Sequence, residues 1–225
     1  MRIPAHLSGP PGSANGGVTC GLLAAELGAP VAEVTLRRPP PLEVDLAVER
    51  AGDAVRLLEG EHLVAEAVPA QVDVEPPPAV DVATARAAAA RYAGREQHPF
   101  PGCVVCGTDR EPPDGLGLRP GPVGEDAVAA AWTPADADPV MVWAALDCPG
   151  GWAEDLPGRP MVLGRMALRV DDLPAPGEPH VVQGWVVGRD GRKTHTGTSL
   201  RTAEGRLLAV ARQTWVAVDL DRLGR

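Results

Sequence analysis

The stretch Ala14-Asn15-Gly16-Gly17-Val18-Thr19-Cys20-Gly21-Leu22-Leu23-Ala24-Ala25-Glu26-Leu27, closed by Gly28-Ala29-Pro30, decides how the chain is organised. Leu22, Leu23 and Leu27 recur at helical spacing. Asn15 or Ser13 stands where an N-cap belongs, and Gly28 falls where a helix stops. A helix opened by a glycine pair is expected. After it, residues 31–38, 42–51, 54–58 and 62–68 are short Val- and Leu-rich segments separated by the turn pairs Gly52-Asp53 and Glu59-Gly60. This order predicts a helix followed by an antiparallel meander.

The same grammar returns downstream. Cys148-Pro149-Gly150-Gly151 is followed by strand-like segments 161–170, 180–189, 194–202 and 207–218. Leu36-Arg37 and Leu168-Arg169 follow their glycine pairs at similar distances. Glu59-Gly60 precedes Leu63-Val64-Ala65 as Glu204-Gly205 precedes Leu207-Leu208-Ala209. Ordered agreement of three landmarks predicts a duplication, with a second glycine pair again starting a helix. Between the copies, Pro76-Pro77-Pro78 fits neither a helix interior nor a central strand, and Asp81 caps an Ala-rich run, 82–93, that ends at Gly94. The expected division is a first half over 1–75, a linker with a helix over 76–99, and a second half over 100–225.

Composition narrows the partners. The 225 residues carry a net charge of −9, which disfavours a phosphate-backbone footprint and so nucleic acid. No apolar run is long enough for a spanning helix and the N-terminus lacks a signal-peptide pattern, so a cytoplasmic protein away from membranes is expected. Lys193 is the sole lysine, and the Ala, Gly and Pro excess suggests a bacterial GC-rich genome. Cys20, Cys103, Cys106 and Cys148 are then expected to be reduced.

The set Asn15-Gly16-Gly17, Leu36-Arg37-Arg38-Pro39, Leu146-Asp147-Cys148-Pro149-Gly150-Gly151 and Glu204-Gly205-Arg206-Leu207-Leu208-Ala209 through Gln213 resembles the hotdog-fold acyl-CoA thioesterases, in particular the double-hotdog, TesB-like type. The resemblance implies an α+β fold in which each half wraps a curved antiparallel sheet around a helix, with an acyl thioester bound between the halves. It implies that a helix-start N–H of Gly16 or Gly17 polarises the thioester carbonyl, that Asp147 directs or activates water, and that Gln213 orients that water. A strand hydroxyl is also implied, for which Thr194, Thr196 and Thr198 are candidates by neighbourhood. Coenzyme A would enter as part of the substrate, with no separate cofactor, and the tandem chain would act as a self-sufficient monomer or as a homodimer.

Physical chemistry is compatible with these roles. Free N–H groups at a helix start, with the helix dipole behind them, stabilise the charge that develops on a thioester oxygen. Asp147, among Ala144, Ala145, Leu146 and Cys148, is placed to have a raised pKa, or else serves as a helix cap. Strand alternation puts Gln213 with Ala211, Trp215 and Ala217, either at a site or as a bonded core amide. Asn15 reads as an N-cap or as a substrate-facing amide.

Cys103-Val104-Val105-Cys106-Gly107 has the spacing of half a zinc site, which Cys148 or a second chain would have to complete. A turn role is preferred, no metal is assigned, and Cys148 is read as a small packed residue. Arg189, Arg192 and Lys193 around the Asp190-Gly191 turn are candidates to meet the phosphates of coenzyme A. Two further readings are a non-catalytic acyl-thioester binding protein and a structural hotdog module.

Overall fold

The computed structural model describes residues 1–222; residues 223–225, the end of the expected second half, lie outside the described residues. In the first half, α1 (Gly16–Leu27) precedes β1 (Val31–Leu36), β2 (Ala47–Ala51), β3 (Ala54–Glu59) and β4 (His62–Pro69). A short helix, α2 (Val82–Ala88), follows, then the hairpin β5 (Gly121–Gly124) and β6 (Ala127–Trp132). The second half continues with α3 (Pro139–Trp152), β7 (Met161–Val170), β8 (His180–Asp190), β9 (Lys193–Thr202) and β10 (Leu207–Ala217).

All ten strands form one antiparallel sheet in the order β2-β3-β4-β1-β7-β10-β9-β8-β6-β5. The block β2-β3-β4-β1 has the same connectivity as β8-β9-β10-β7, and the blocks meet where β1 pairs with β7, Val34 opposite Met166. The repeat of landmarks along the chain is therefore also a repeat of topology. The β5–β6 hairpin is an addition on the β8 edge without a counterpart in the first block.

α1 packs on β1, β3, β4 and β7, whereas α3 packs on all four strands of its own block and on β6. The two helices also pack on each other, and one apolar cluster runs through Val18 and Leu23 of α1, Val142 and Leu146 of α3, and the facing strands. Their close approach depends on glycine. A Cβ on Gly17 would lie 2.6 Å from Asp147 Cβ and 2.7 Å from the Trp143 carbonyl oxygen, and one on Gly21 would lie 3.0 Å from Val140 Cα. Advancing along α1 from 17 to 21 thus means retreating along α3 from 147 to 140, which is an antiparallel crossing.

Three sequence expectations are corrected. The second glycine pair does not open a helix: α3 begins at Pro139, with Asp138 accepting from Val140 N as its cap, and Gly150-Gly151 fall in its last turn. Those glycines are required by crowding, since a Cβ on Gly150 would strike Gln213 and one on Gly151 would lie 2.9 Å from the Trp215 ring. The expected strand at 42–51 shortens to β2 because residues 43–46 bind the N-terminal segment instead, Glu43 N to Ile3 O and Leu46 N to Met1 O. The run 82–93 is helical only to Ala88 and then breaks into 3-10 turns, as the buried Tyr92 directs its hydroxyl to the Cys106 carbonyl. No helix among the described residues is long and apolar enough to cross a membrane.

Candidate functional site

Asn15 caps α1 with its side-chain oxygen, which accepts from Val18 N at 2.9 Å. This bond fixes which way the amide faces, so its Nδ2 points outward from the helix start and donates to Asp147 Oδ2 at 2.9 Å. Gly17 N donates to the same oxygen, also at 2.9 Å. One carboxylate oxygen of α3 is thereby held by the N-terminus of α1, where the helix dipole favours negative charge. Asn15 is thus the N-cap of α1, and its amide nitrogen is directed to Asp147.

Asp147 is neither a helix cap nor a surface group. It lies inside α3, is 2% exposed, and its second oxygen, Oδ1, is buried without a hydrogen-bond partner among the described residues. Burial raises its pKa to about 7, against the opposing pull of the Gly17 N–H; a thiolate at Cys103 raises it further and the Asn15 amide lowers it. The result is a carboxylate that is anchored on one side, bare on the other, and close to a proton-exchange equilibrium at neutral pH.

Gln213 is beside this aspartate but does not touch its carboxylate. Its Nε2 donates to the carbonyls of Leu146 at 2.6 Å and Asp147 at 3.3 Å, next to Pro149, which has no N–H to give the helix. Its Oε1 accepts from Thr196 Oγ1 at 2.9 Å and Trp215 Nε1 at 3.0 Å. Both ends of the amide are occupied, which leaves no group free to orient a water in this arrangement. Of the three candidate hydroxyls only Thr196 joins this network; Thr194 instead meets Arg159 and Glu154, and Thr198 Oγ1 is buried without a partner among the described residues.

The expected turn around Cys103 and Cys106 brings more together than sequence spacing indicated. Cys103, Cys106 and Cys148 have sulfurs that all lie within 4.8 Å of one another, with Cys103 and Cys148 3.7 Å apart, and all three residues are buried. Cys148 directly follows Asp147, so the cluster adjoins the carboxylate. The Asn15 Nδ2 is 3.8 Å from the Cys103 sulfur and 3.9 Å from that of Cys148. The segment is docked on the first half through Val104 N to Ser8 O and Ser8 Oγ to Gly102 O, although the sequence placed it at the start of the second.

Arg189, Arg192 and Lys193 are not brought to Asp147 by any contact. Arg189 is held by Glu154 at 2.7 Å and Asp126 at 2.8 Å, and Arg192 donates to the Ala217 carbonyl at 3.0 Å; Lys193 begins β9 and is exposed. A phosphate at Arg189 would have to compete with two carboxylates. Two surface hollows, one lined by Arg86 and Arg119 and one by His195 and Arg212, do not include Asp147 among their walls. Gly16 is instead roofed by Leu163 and Leu36, whose side chains would lie 3.0 and 3.4 Å from a Cβ placed on it.

This architecture recurs in solved structures. The chain superposes on the tesB protein of Mycobacterium avium subsp. paratuberculosis with a TM-score of 0.61 over 97% of this chain and 91% of that one, at 13% identity. A protein with a hot dog fold from Alicyclobacillus acidocaldarius gives a TM-score of 0.58, covering 97% and 92% at 11% identity. The acyl-CoA thioesterase II TesB2 of Mycobacterium marinum gives 0.51, covering 84% and 79% at 13% identity. These likenesses show that the chain has the double-hotdog fold. No protein-family model matches the sequence, and no curated protein matches it.

Proposed function

We propose that the protein hydrolyses an acyl-CoA thioester, with Asp147 as the base that activates water. The observation that carries this reading is the half-bonded carboxylate: Oδ2 is fixed by Gly17 N and Asn15 Nδ2 at the start of α1, while Oδ1 is bare. In the proposed reaction, water attacks the thioester carbonyl as Oδ1 takes its proton. The tetrahedral intermediate then expels the thiolate of coenzyme A, and Asp147 returns the proton to that sulfur. The products are a carboxylic acid and free coenzyme A, and Asp147 ends as it began.

Gly17 N is committed to Asp147, so the oxyanion role falls to Gly16, the more exposed of the pair and in the first turn of α1. Leu36 and Leu163 are the side chains an acyl group would displace to reach it. Gln213 acts as a positioning residue: it ties the helix carrying Asp147 to β9 and β10 through Thr196 and Trp215. The four free cysteines fit the reduced cytoplasmic setting that this reading assumes.

Release of free coenzyme A from acyl-CoAs of graded chain length, by wild type and by Asp147→Asn, tests the proposal. Release by the wild type and its loss in the variant is expected; no release at any length, or equal release by both, overturns it. The saturated Gln213 and the buried Asp147 favour one second reading, an acyl-thioester binding protein without turnover. Acyl-CoA binding with no coenzyme A released would select it.

A further inference from the structure

We infer that Cys103, Cys106 and Cys148 bind a thiophilic metal ion, with zinc as the fitting one, and that this ion fastens the 100–107 turn to the helix bearing Asp147. Sequence spacing supplied only a pair of ligands; folding supplies the third from α3. Two sulfurs bound to one tetrahedral zinc at about 2.3 Å each stand roughly 3.8 Å apart. Cys103 and Cys148 already stand 3.7 Å apart, and the third sulfur is within 4.8 Å of both. A disulfide would require a much shorter separation, about 2.0 Å, whereas the observed spacing can admit an ion between the sulfurs.

The surroundings are those that metal thiolates need. Three thiolates around one divalent ion carry a net negative charge, and burial makes donors aimed at the sulfurs necessary. The Asn15 amide nitrogen reaches both Cys103 and Cys148. The indole N–H of Trp152, in the last turn of α3, is buried with no hydrogen-bond partner among the described residues. Arg119, 8% exposed, places its guanidinium on the carbonyls of Cys106 and Leu118 and against the Tyr92 ring, and pairs with Glu111 at 3.2 Å on its outer side.

The turn itself is built for this approach. Gly107 N closes it on Cys103 O at 2.9 Å, and a Cβ on Gly107 would strike the backbone of Pro101 and Cys103. His98 is close by, but its Nε2 is 3.2 Å from the Cys106 carbonyl and its Nδ1 accepts from Phe100 N, so both ring nitrogens are already used. The fourth position is therefore left to an exogenous donor such as water. The ion does not depend on the thioesterase reading, since its three protein ligands are brought together by this chain's own fold whether or not it turns over a thioester.

The test is elemental analysis of the full chain, produced in zinc-replete cells and purified under reducing conditions, followed by cobalt reconstitution of metal-stripped protein. About one zinc per chain is expected, and cobalt should give intense visible bands of a tetrahedral site together with thiolate-to-cobalt charge transfer. Cys148→Ser and Cys106→Ser should each abolish those bands, whereas Cys20→Ala, at a buried cysteine outside the cluster, should keep them. Substoichiometric zinc without thiolate bands in the wild type would overturn the inference even if the variants fail to fold. So would bands that persist in Cys148→Ser, or peptide mapping that finds Cys103 in a disulfide.

Discussion

Replacing Asp147 with Asn should make the protein more stable at neutral and alkaline pH while removing its proposed activity. Asn is isosteric, and its side-chain oxygen can accept from Gly17 N and Asn15 Nδ2 as Oδ2 does now. What disappears is a buried charge. The carboxyl titrates near 7 in the folded chain against a usual 3.8. Folding thus favours the protonated acid, and stability present below the usual pKa is lost progressively as pH rises through about 7. The gap between the two values corresponds to about 4 kcal/mol of charge burial at roughly pH 8, and to under about 1 kcal/mol near pH 4. Urea unfolding of both proteins across that range, with and without a chelator, measures the difference. The variant should gain several kcal/mol at the alkaline end and almost nothing at the acid end. A variant no more stable than wild type at high pH would refute the assignment of Asp147 as a buried ionising group held at an energetic cost for chemistry.

The remaining expectations concern packing, the positioning network and the charged hairpin. Gly17→Ala puts a methyl group 2.6 Å from Asp147 Cβ and should separate α1 from α3, costing about 2–3 kcal/mol in urea unfolding. Restoration of wild-type stability by no more than a side-chain rotation would contradict this, because two of the three nearest atoms belong to the backbone of α3. Gln213→Met leaves Trp215 Nε1 and the Leu146 carbonyl without their side-chain partner and should cost about 2–4 kcal/mol by thermal or urea unfolding. In a turnover assay the same change should lower kcat more than it raises KM, as expected of a residue that positions Asp147 without touching substrate. Arg189→Ala should change stability by only about 1 kcal/mol, since Arg189 and Asp126 are half-exposed and the mostly buried Glu154 keeps Arg159 as a partner. The KM for acyl-CoA should also be unmoved; a several-fold increase would return this hairpin to the phosphate-binding role read from sequence.

The sequence by itself determined the local pieces. Periodicity and capping residues placed a helical run to Leu27 after the glycine pair, with Asn15 or Ser13 as cap and the stop at Gly28, and alternation between turn pairs placed β7 to β10 within a residue at most ends. These are short-range consequences of dihedral preference and amphipathic pattern, so they can be read without a partner. The duplication was legible for the same reason, because both copies solve one local problem in one order. Tertiary structure decided the rest. A glycine pair looks the same whether it opens a helix, as Gly16-Gly17 does, or lets β10 press on a helix end, as Gly150-Gly151 does. Gln213 carried an alternating-strand signal, but which groups it bonds depended on contacts up to 67 residues away. Cys148 read as a packed side chain until α3 carried it to Cys103 and Cys106, and Asp147 owes its anchored Oδ2 to a helix lying 130 residues earlier in the chain. Burial and proximity are properties of the pairing of the two halves, and no local pattern encodes them.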